Sequence, residues 1–440
     1  MMVLALCAAL SAQGCDGCNK KDPQGSADGG VSSVQSAAPP PVAISVEDGG
    51  VKGKRPTTTS WSIAGSNLNG QIREAEKRPV TDPDQQLQLV GFYLTRGQTL
   101  ANVEDYEKAD AIGVAAVKAY PKSGAAHLTH ALALGALHRF DEQSKELDEA
   151  AKLDALAQRV SGARVGLLMA TGRYDDAQKL MAPIEEGSPA TAMVTTAVLR
   201  AHMQRTEEAE ALFDRARTSF VDVSPFPVAW MDFQRGTLLE AAGKEKEARA
   251  YYLEALEAIP DYVHAAIHVS TTDTPERAVE RLLALRTVTT EPELLSALAA
   301  AHKRAKQDAE AKKATDAAHA RYDELLAKHP AAYADHAARF FLGSGSDPKK
   351  ALGLAEKNAK LRPTEEAIDL WMAASTAAND KGQICASAIA MNGLRYASEM
   401  RKRIAAASSS GCPDSGTPGT PGTLGASDAG APAKKDAGSR

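Results

Sequence analysis

A recurring pattern of small, aromatic and proline residues dominates the middle of the chain, and its clearest copy is the 34-residue unit 229–262. Ala248, Tyr252 and Ala255 are spaced i, i+4, i+7, so they share one face of a helix. Gly243 permits a chain reversal at positive φ before that helix, and Pro260 ends it. The unit therefore predicts two antiparallel helices that touch through small side chains.

The same pattern returns on both sides of this unit. Eight further copies carry parts of it at intervals of roughly 30 to 40 residues, a period typical of helical repeats. The intervals are less regular in the second half, where residues 308–328 read as one unusually long second helix. The alternative is a series of unrelated helical hairpins. The copies are marked by Gly97, Ala131, Gly172, Ala197, Ala278, Ala318, Ala351 and Trp371.

The composition favours helices and excludes two broad classes of protein. Hydrophobic residues make up 44% of the chain but aromatic residues only 5%. β-Sandwiches and barrels need aromatic and β-branched residues, whereas alanine favours helices and lets them approach closely. The net charge is −5 with no basic block, which argues against nucleic-acid binding.

The repeated unit resembles the tetratricopeptide repeat, in which a proline closes the second of two antiparallel helices. The resemblance implies an all-α, right-handed α-solenoid of about eight or nine such repeats over residues 66–407. It also implies a concave groove, lined by the first helix of each pair, that binds protein partners. By this register the groove residues are Leu94, Gln98, Leu128, Thr129, Arg159, Val194, Trp230, Phe233, Tyr333, His336 and Phe340.

One subfamily grips the C-terminal carboxylate of its partners with Lys, Asn and Arg side chains, and that clamp is not predicted here. The matching positions hold Leu94, Gln98, Thr129, Arg159 and Ala163.

The aromatic pair Trp230 and Phe233 remains as the predicted anchor for an extended or helical partner segment, since aromatic residues supply much of the binding energy at interfaces. The alternative is that Trp230 packs against the preceding loop, Pro225-Phe226-Pro227.

The first residues predict export. Val3–Leu10 is an uncharged apolar run that is too short to span a bilayer. The following Ala12-Gln13-Gly14-Cys15 resembles a bacterial lipobox, although Ala12 and Gln13 depart from the usual residues. The resemblance implies a signal peptide over residues 1–14, a lipid on Cys15, and a protein held at the cell envelope, facing the periplasm or the exterior. The alternative is an ordinary secretory signal cleaved near Ala12.

Low-complexity segments flank the predicted solenoid. Residues 15–65 are rich in Gly, Ser, Pro, Asp and Lys, and residues 408–440 repeat Pro-Gly-Thr. Such compositions bury too little apolar surface to offset the entropy of ordering, so we expect a flexible linker and a disordered tail.

The cysteines favour one structural bridge. Cys385 and Cys412 are candidates for a disulfide in an oxidising compartment, and two independent thiols are the alternative. Cys15 and Cys18 lack the βαβ setting of a redox pair and the further ligands of a zinc site.

No pattern of catalytic residues stands out. The chain has no GxSxG elbow, no phosphate-binding GxxxxGK[ST] loop and no HExxH helix, so we predict neither an enzyme nor a cofactor. His264 and His268 are spaced i, i+4 and are the best candidates for a weak divalent-ion site, but no metal is predicted.

Together these patterns predict a non-catalytic, envelope-anchored adaptor that binds unidentified protein partners. A ligand- or glycan-binding envelope lipoprotein is the alternative, and a cryptic hydrolase is a remote third.

Overall fold

The structure is a computed structural model, and it describes residues 51, 55–77, 82–153, 157–409 and 412. Cys15, the predicted signal peptide, most of the predicted linker and residues 413–440 lie outside the described residues.

The described part of the chain contains twenty α-helices, one short 3₁₀-helix and no β-strand. None of these helices is both long and apolar enough to cross a bilayer. The first ten are α1 Trp61–Glu76, α2 Pro83–Leu100, α3 Val103–Ala119, α4 Gly124–Ala136, α5 Phe140–Lys152, α6 Ala157–Ala170, α7 Tyr174–Leu180, α8 Ala190–His202, α9 Thr206–Thr218 and α10 Pro225–Ala241. The others are α11 Glu245–Ala258, α12 Val263–Thr272, α13 Pro275–Ala284, α14 Pro292–Arg304, α15 Asp308–Lys328, α16 Pro330–Leu342, α17 Pro348–Leu361, α18 Glu365–Ala377, α19 Lys381–Gly393 and α20 Glu399–Ser408.

Helices α2 to α19 form nine consecutive pairs, with α1 and α20 at the two ends. Each helix packs mainly against the next one along the chain, as expected for a solenoid. The predicted all-α solenoid of tetratricopeptide-like pairs is therefore confirmed. The unequal intervals also have a structural reason, because α15 has 21 residues whereas α7 has only 7.

The turn inside a pair contains one residue at positive φ in eight of the nine pairs. In the fifth pair this residue is Gly243, and the Lys244 N–H donates to the Leu239 carbonyl at 2.9 Å. Only two of the eight residues are glycine, so most of these turns carry no glycine signal in the sequence. The eight residues are Ala101, His138, Gly172, Gln204, Gly243, Lys306, Ser346 and Asn379.

Glycine also permits the close helix contact inside a pair. A Cβ atom on Gly236 would lie 2.5 Å from the Tyr252 ring, and one on Gly97 would lie 2.7 Å from the Tyr106 ring. Two different pairs thus use the same combination of a glycine on the first helix and a tyrosine on the second. This is the small-against-aromatic contact that the repeated pattern predicts.

Helix pairs in the second half of the solenoid contact pairs in the first half. The Thr289 hydroxyl donates to the Ala101 carbonyl at 2.7 Å, and Arg362 Nε donates to the Ala170 carbonyl at 3.3 Å. Burial lowers the pKa of His138 to about 3, so its neutral ring donates from Nδ1 to the Ala331 carbonyl. These bonds join residues that are 188 to 193 positions apart. They close the superhelix on itself.

The first described helix begins earlier than the predicted solenoid. We expected the solenoid to start at residue 66, but α1 begins at Trp61, and described residues from Arg55 onward already contact other helices. At the other end α20 finishes at Ser408, next to the predicted boundary.

Substitutions at two glycines distinguish the free-energy cost of a strained turn from the cost of disrupting a contact between distant helix pairs. Gly243 and Gly172 both have positive φ, but an added Cβ meets nothing within 4 Å at Gly243, whereas at Gly172 it lies 2.6 Å from the Pro363 carbonyl. We expect Gly243→Ala to lower the free energy of unfolding by about 1 kcal/mol, the cost of the left-handed conformation. Gly172→Ala should cost roughly 1 to 3 kcal/mol more because of the overlap. Urea unfolding followed by circular dichroism measures both, and equal losses would contradict the contact between α6–α7 and Pro363.

Candidate functional site

The predicted groove residues do not line one open groove. Leu94, Leu128, Val194, Trp230, Phe233, Tyr333 and Phe340 are each at most 5% exposed. Gln98 and Thr129 are buried as well, while Arg159 and His336 are half-buried. Most of these side chains are therefore packed in the interior in this structure and do not face an open concave surface.

Phe233 shows how this happens. Its ring lies 5.4 Å from the Tyr262 ring and 5.7 Å from the His268 ring, measured between centroids. Tyr252 stacks on His268 at 4.7 Å in the same cluster. Phe233 is thus a core residue between α10, α11 and α12.

Two of the predicted residues, Gln98 and Trp230, line a cavity of about 800 Å³, called here the α2–α10 cavity. One wall comes from α1 and α2, and the opposite wall comes from the beginnings of α8 and α10 and the connections that precede them. Its two walls are formed by elements about a hundred residues apart in the sequence, which the winding of the superhelix brings face to face. Its volume is within the range of ligand sites, roughly 300 to 1,000 Å³.

The walls of the cavity are aromatic and almost uncharged. Phe92, Phe220 and Phe226 line it with half-exposed rings, and Asp222 is the only formally charged residue among those that line it. The remaining polar groups are hydroxyls and amides. The lining includes Leu68, Gln98, Thr99, Pro189, Thr191, Val221, Val223, Pro225 and Pro227.

Two buried polar atoms on this lining have no hydrogen-bond partner. They are Trp230 Nε1 and Thr191 Oγ1, on side chains that are 2% and 9% exposed. An unpaired buried N–H or O–H costs free energy that a bound acceptor would return. Trp230 is thus a core residue that also borders the cavity, and its role as an anchor for a partner segment stays a prediction.

An extended segment, Arg55–Trp61, crosses one rim of the cavity and is called here the strap. The Thr59 N–H donates to the Val223 carbonyl at 2.7 Å, and Trp61 Nε1 donates to Asp261 at 2.7 Å. The Trp61 ring also packs edge-on against Phe226, with centroids 5.9 Å apart. The sequence placed these residues in a linker, and the isolated Trp61 was the only signal of their contacts.

The histidines pair with carboxylates in the interior and along the helices. His264 and His336 both lie 3.3 Å from Glu293, and His268 lies 2.7 Å from Glu240. Burial opposes the charge of Glu293, but His336 and His264 hold the pKa of this carboxyl well below its usual range. His264 and His268 thus face different acids, so the weak ion site considered for them is not formed. Across the described ranges, no group of three or more His, Cys, Asp or Glu side chains is placed to hold a metal.

Cys385 and Cys412 form a disulfide in the structure, with Cα atoms 5.7 Å apart. The bond ties the chain after α20 to α19. It lies outside the lining of the α2–α10 cavity.

Comparison with known proteins gives similarity of structure only. No protein-family model and no curated protein sequence matches the chain. Among solved structures, the chain is similar to the Cut9–Hcn1 complex of the APC/C, with 12% identity over 78% of this chain and 66% of that chain, at a TM-score of 0.42. It is also similar to yeast Tom70, with 13% identity over 79% and 93% of the two chains at a TM-score of 0.28. For the P58(IPK) TPR domain the identity is 13% over 79% and 94%, at a TM-score of 0.24. The repeat architecture is established by the helix pairs and their turns.

Glu291 gives a pH-dependent test of the interior. Burial raises the pKa of this carboxyl from 4.5 to about 8, so the folded protein keeps a proton that the unfolded chain loses between these values. Stability contributed by this group therefore falls as the pH rises from about 4.5 to about 8. Glu291→Gln removes the effect, and we expect it to raise the melting temperature relative to wild type more at pH 8 than at pH 5.

The neighbouring Glu293 is the matched control. Its carboxylate is held in the charged form by two histidines, so Glu293→Gln should lower the melting temperature at both pH values. An equal shift for Glu291→Gln at pH 5 and pH 8 would contradict a protonated Glu291 in the folded state.

Proposed function

We propose that this protein is a non-catalytic scaffold, anchored at the cell envelope, that holds a segment of a partner protein in the α2–α10 cavity. The observation that carries the proposal is the cavity itself, an aromatic and nearly neutral space of about 800 Å³. Aromatic side chains supply much of the binding energy at protein interfaces.

The chemistry of the cavity favours binding over bond cleavage. General acid–base and nucleophilic catalysis need two or more reactive groups within hydrogen-bond reach of each other. Asp222 is the only carboxylate among the lining residues, and no histidine, cysteine or lysine lines the cavity. Nearby basic side chains are engaged in ion pairs, such as Arg235 with Asp214 at 2.7 Å and Arg217 with Glu254 at 2.6 Å.

The envelope location is part of the proposal and is supported by the sequence around Cys15. Roughly 40 residues separate Cys15 from the strap, a length that spans at most about 130 Å when fully extended. A lipid on Cys15 would therefore keep the cavity near the membrane without fixing its orientation.

Replacing the lipidation residue tests the anchor. We expect Cys15→Ser to move the protein from the membrane fraction to the soluble fraction, with the wild-type N-terminus carrying a lipid mass. Cys18→Ser is the matched control and should leave the protein in the membrane fraction. An unmodified N-terminus on the wild-type protein would contradict the anchor.

Photo-crosslinking in living cells tests the scaffold. Val221 is 95% exposed at the rim of the cavity, and Val114 is 51% exposed on α3, away from the cavity lining. A benzoylphenylalanine at position 221 should capture the same protein reproducibly, and one at position 114 should not. Captured polysaccharide in place of protein would favour the ligand- or glycan-binding alternative, to which the hydroxyl and amide groups of the lining are also suited. Identical products at both positions would contradict a partner site at the cavity.

A further inference from the structure

We infer that the α2–α10 cavity recognises an uncharged, proline-rich segment in the extended polyproline II conformation. The inference rests on the proposed function, since it names the chemistry of the partner segment that the scaffold holds.

The shape of the lining favours proline side chains. Phe92, Phe220 and Phe226 present half-exposed rings to the same space, beside the rings of Pro225 and Pro227. Aromatic-lined grooves bind proline-rich segments because proline rings pack flat against aromatic faces and the segment is already extended before it binds. Little conformational entropy is then lost on binding.

A polyproline II segment needs hydrogen-bond donors from the protein that binds it. A polyproline II segment makes no internal hydrogen bonds, so its carbonyl oxygens are free acceptors, and its prolines have no N–H to donate. Trp230 Nε1 and the Thr191 hydroxyl have no partner, but both atoms are covered in this structure, so they donate to the segment only after the lining shifts on binding. Once exposed, these donors are complementary to the acceptors of the segment.

The charge of the lining limits the sequence of the segment. With Asp222 as the only formally charged lining residue, no cation is present to pair with an acidic side chain. Placing a carboxylate there would cost desolvation free energy without compensation. Uncharged segments are favoured, and a single basic residue is tolerated at the Asp222 end.

The strap shows that this rim already accepts extended chain. Its residues Pro56 to Ser60 have no regular secondary structure, and the Thr59 N–H is bonded to the Val223 carbonyl. Arg55 at its outer end lies 3.4 Å from Glu257. The strap occupies one side only, and about 800 Å³ remains beside it.

Tryptophan fluorescence gives a direct binding assay, because the chain has only three tryptophans. Trp230 lines the cavity, Trp61 packs on the lining residue Phe226, and Trp371 is bonded to Gln383 in the last pair. In a Trp371→Phe protein, every tryptophan signal therefore comes from the cavity region. We expect a peptide amide of four Ala-Pro-Pro units to change this emission saturably, with micromolar affinity.

Matched peptides and variants decide the result. A flexible peptide of four Ala-Gly-Ser units and an acidic one of four Glu-Pro-Pro units should bind at least about tenfold more weakly. Trp230→Phe, measured by calorimetry, should weaken binding of the proline peptide by about tenfold, the effect of losing one buried hydrogen bond. Trp371→Phe should leave the calorimetric affinity at the wild-type value. Phe92→Ala changes a half-exposed ring and gives the second test if Trp230→Phe fails to fold.

The outcomes separate this inference from the proposed function. No saturable binding of the proline peptide, equal affinity for the Ala-Gly-Ser peptide, or binding of chitohexaose alone would overturn the inference. If the crosslinker at position 221 still captured one protein in cells, the proposed scaffold function would be retained without the proline-rich segment. If the peptide bound through Trp230 but no partner was captured, the inferred ligand chemistry would be retained and the proposed scaffold function would be rejected. A dimer formed through the chain's own Pro39-Pro40-Pro41, detected by light scattering and lost in a variant with those prolines replaced, would overturn the partner as occupant.

Discussion

The contact between helix pairs in the second half of the solenoid and pairs in the first half is the interaction on which the rest of this structure depends. A single helix pair cannot cover its own apolar face, so each pair is stabilised by its neighbours. Here the stack also meets itself, through bonds such as Thr289 to Ala101 and Arg362 to Ala170. Thr289 and Ala101 are both buried at this contact, and the interior also holds ionisable side chains close together, such as Glu293 with His264 and His336.

The winding of the same superhelix forms the α2–α10 cavity. Its two walls are about a hundred residues apart in the sequence, and they face each other because the helix pairs between them follow a curved path. The strap contributes the rim, held by one backbone hydrogen bond from Thr59 and by the indole of Trp61. Loops and an irregular segment thus surround the candidate site, while rigid helices hold them in position, an arrangement common to binding sites.

Local features of the fold were predictable because they depend on residues close in the sequence. The Ala248, Tyr252 and Ala255 face, the long helix α15 and the reversal at Gly243 follow from helical periodicity and glycine geometry. Most of the other turns were not visible, because residues such as Gln204 and Lys306 adopt positive φ without a glycine. Surrounding hydrogen bonds stabilise that conformation, so it cannot be predicted from the conformational preference of the residue itself.

The sequence by itself determined that this chain forms a stack of paired helices, and it put their number at about eight or nine. It also singled out Trp230 as a candidate binding residue. Periodic placement of small, aromatic and proline residues is enough for that, because helix pairing is a contact between near neighbours. The tertiary structure alone decided that Phe233 is core, that Gln98 and Trp230 share a cavity, and that Thr59 closes its rim. The cavity and its rim depend on how tightly the superhelix winds. That winding is the sum of small rotations between successive pairs, so no single segment of the sequence determines it.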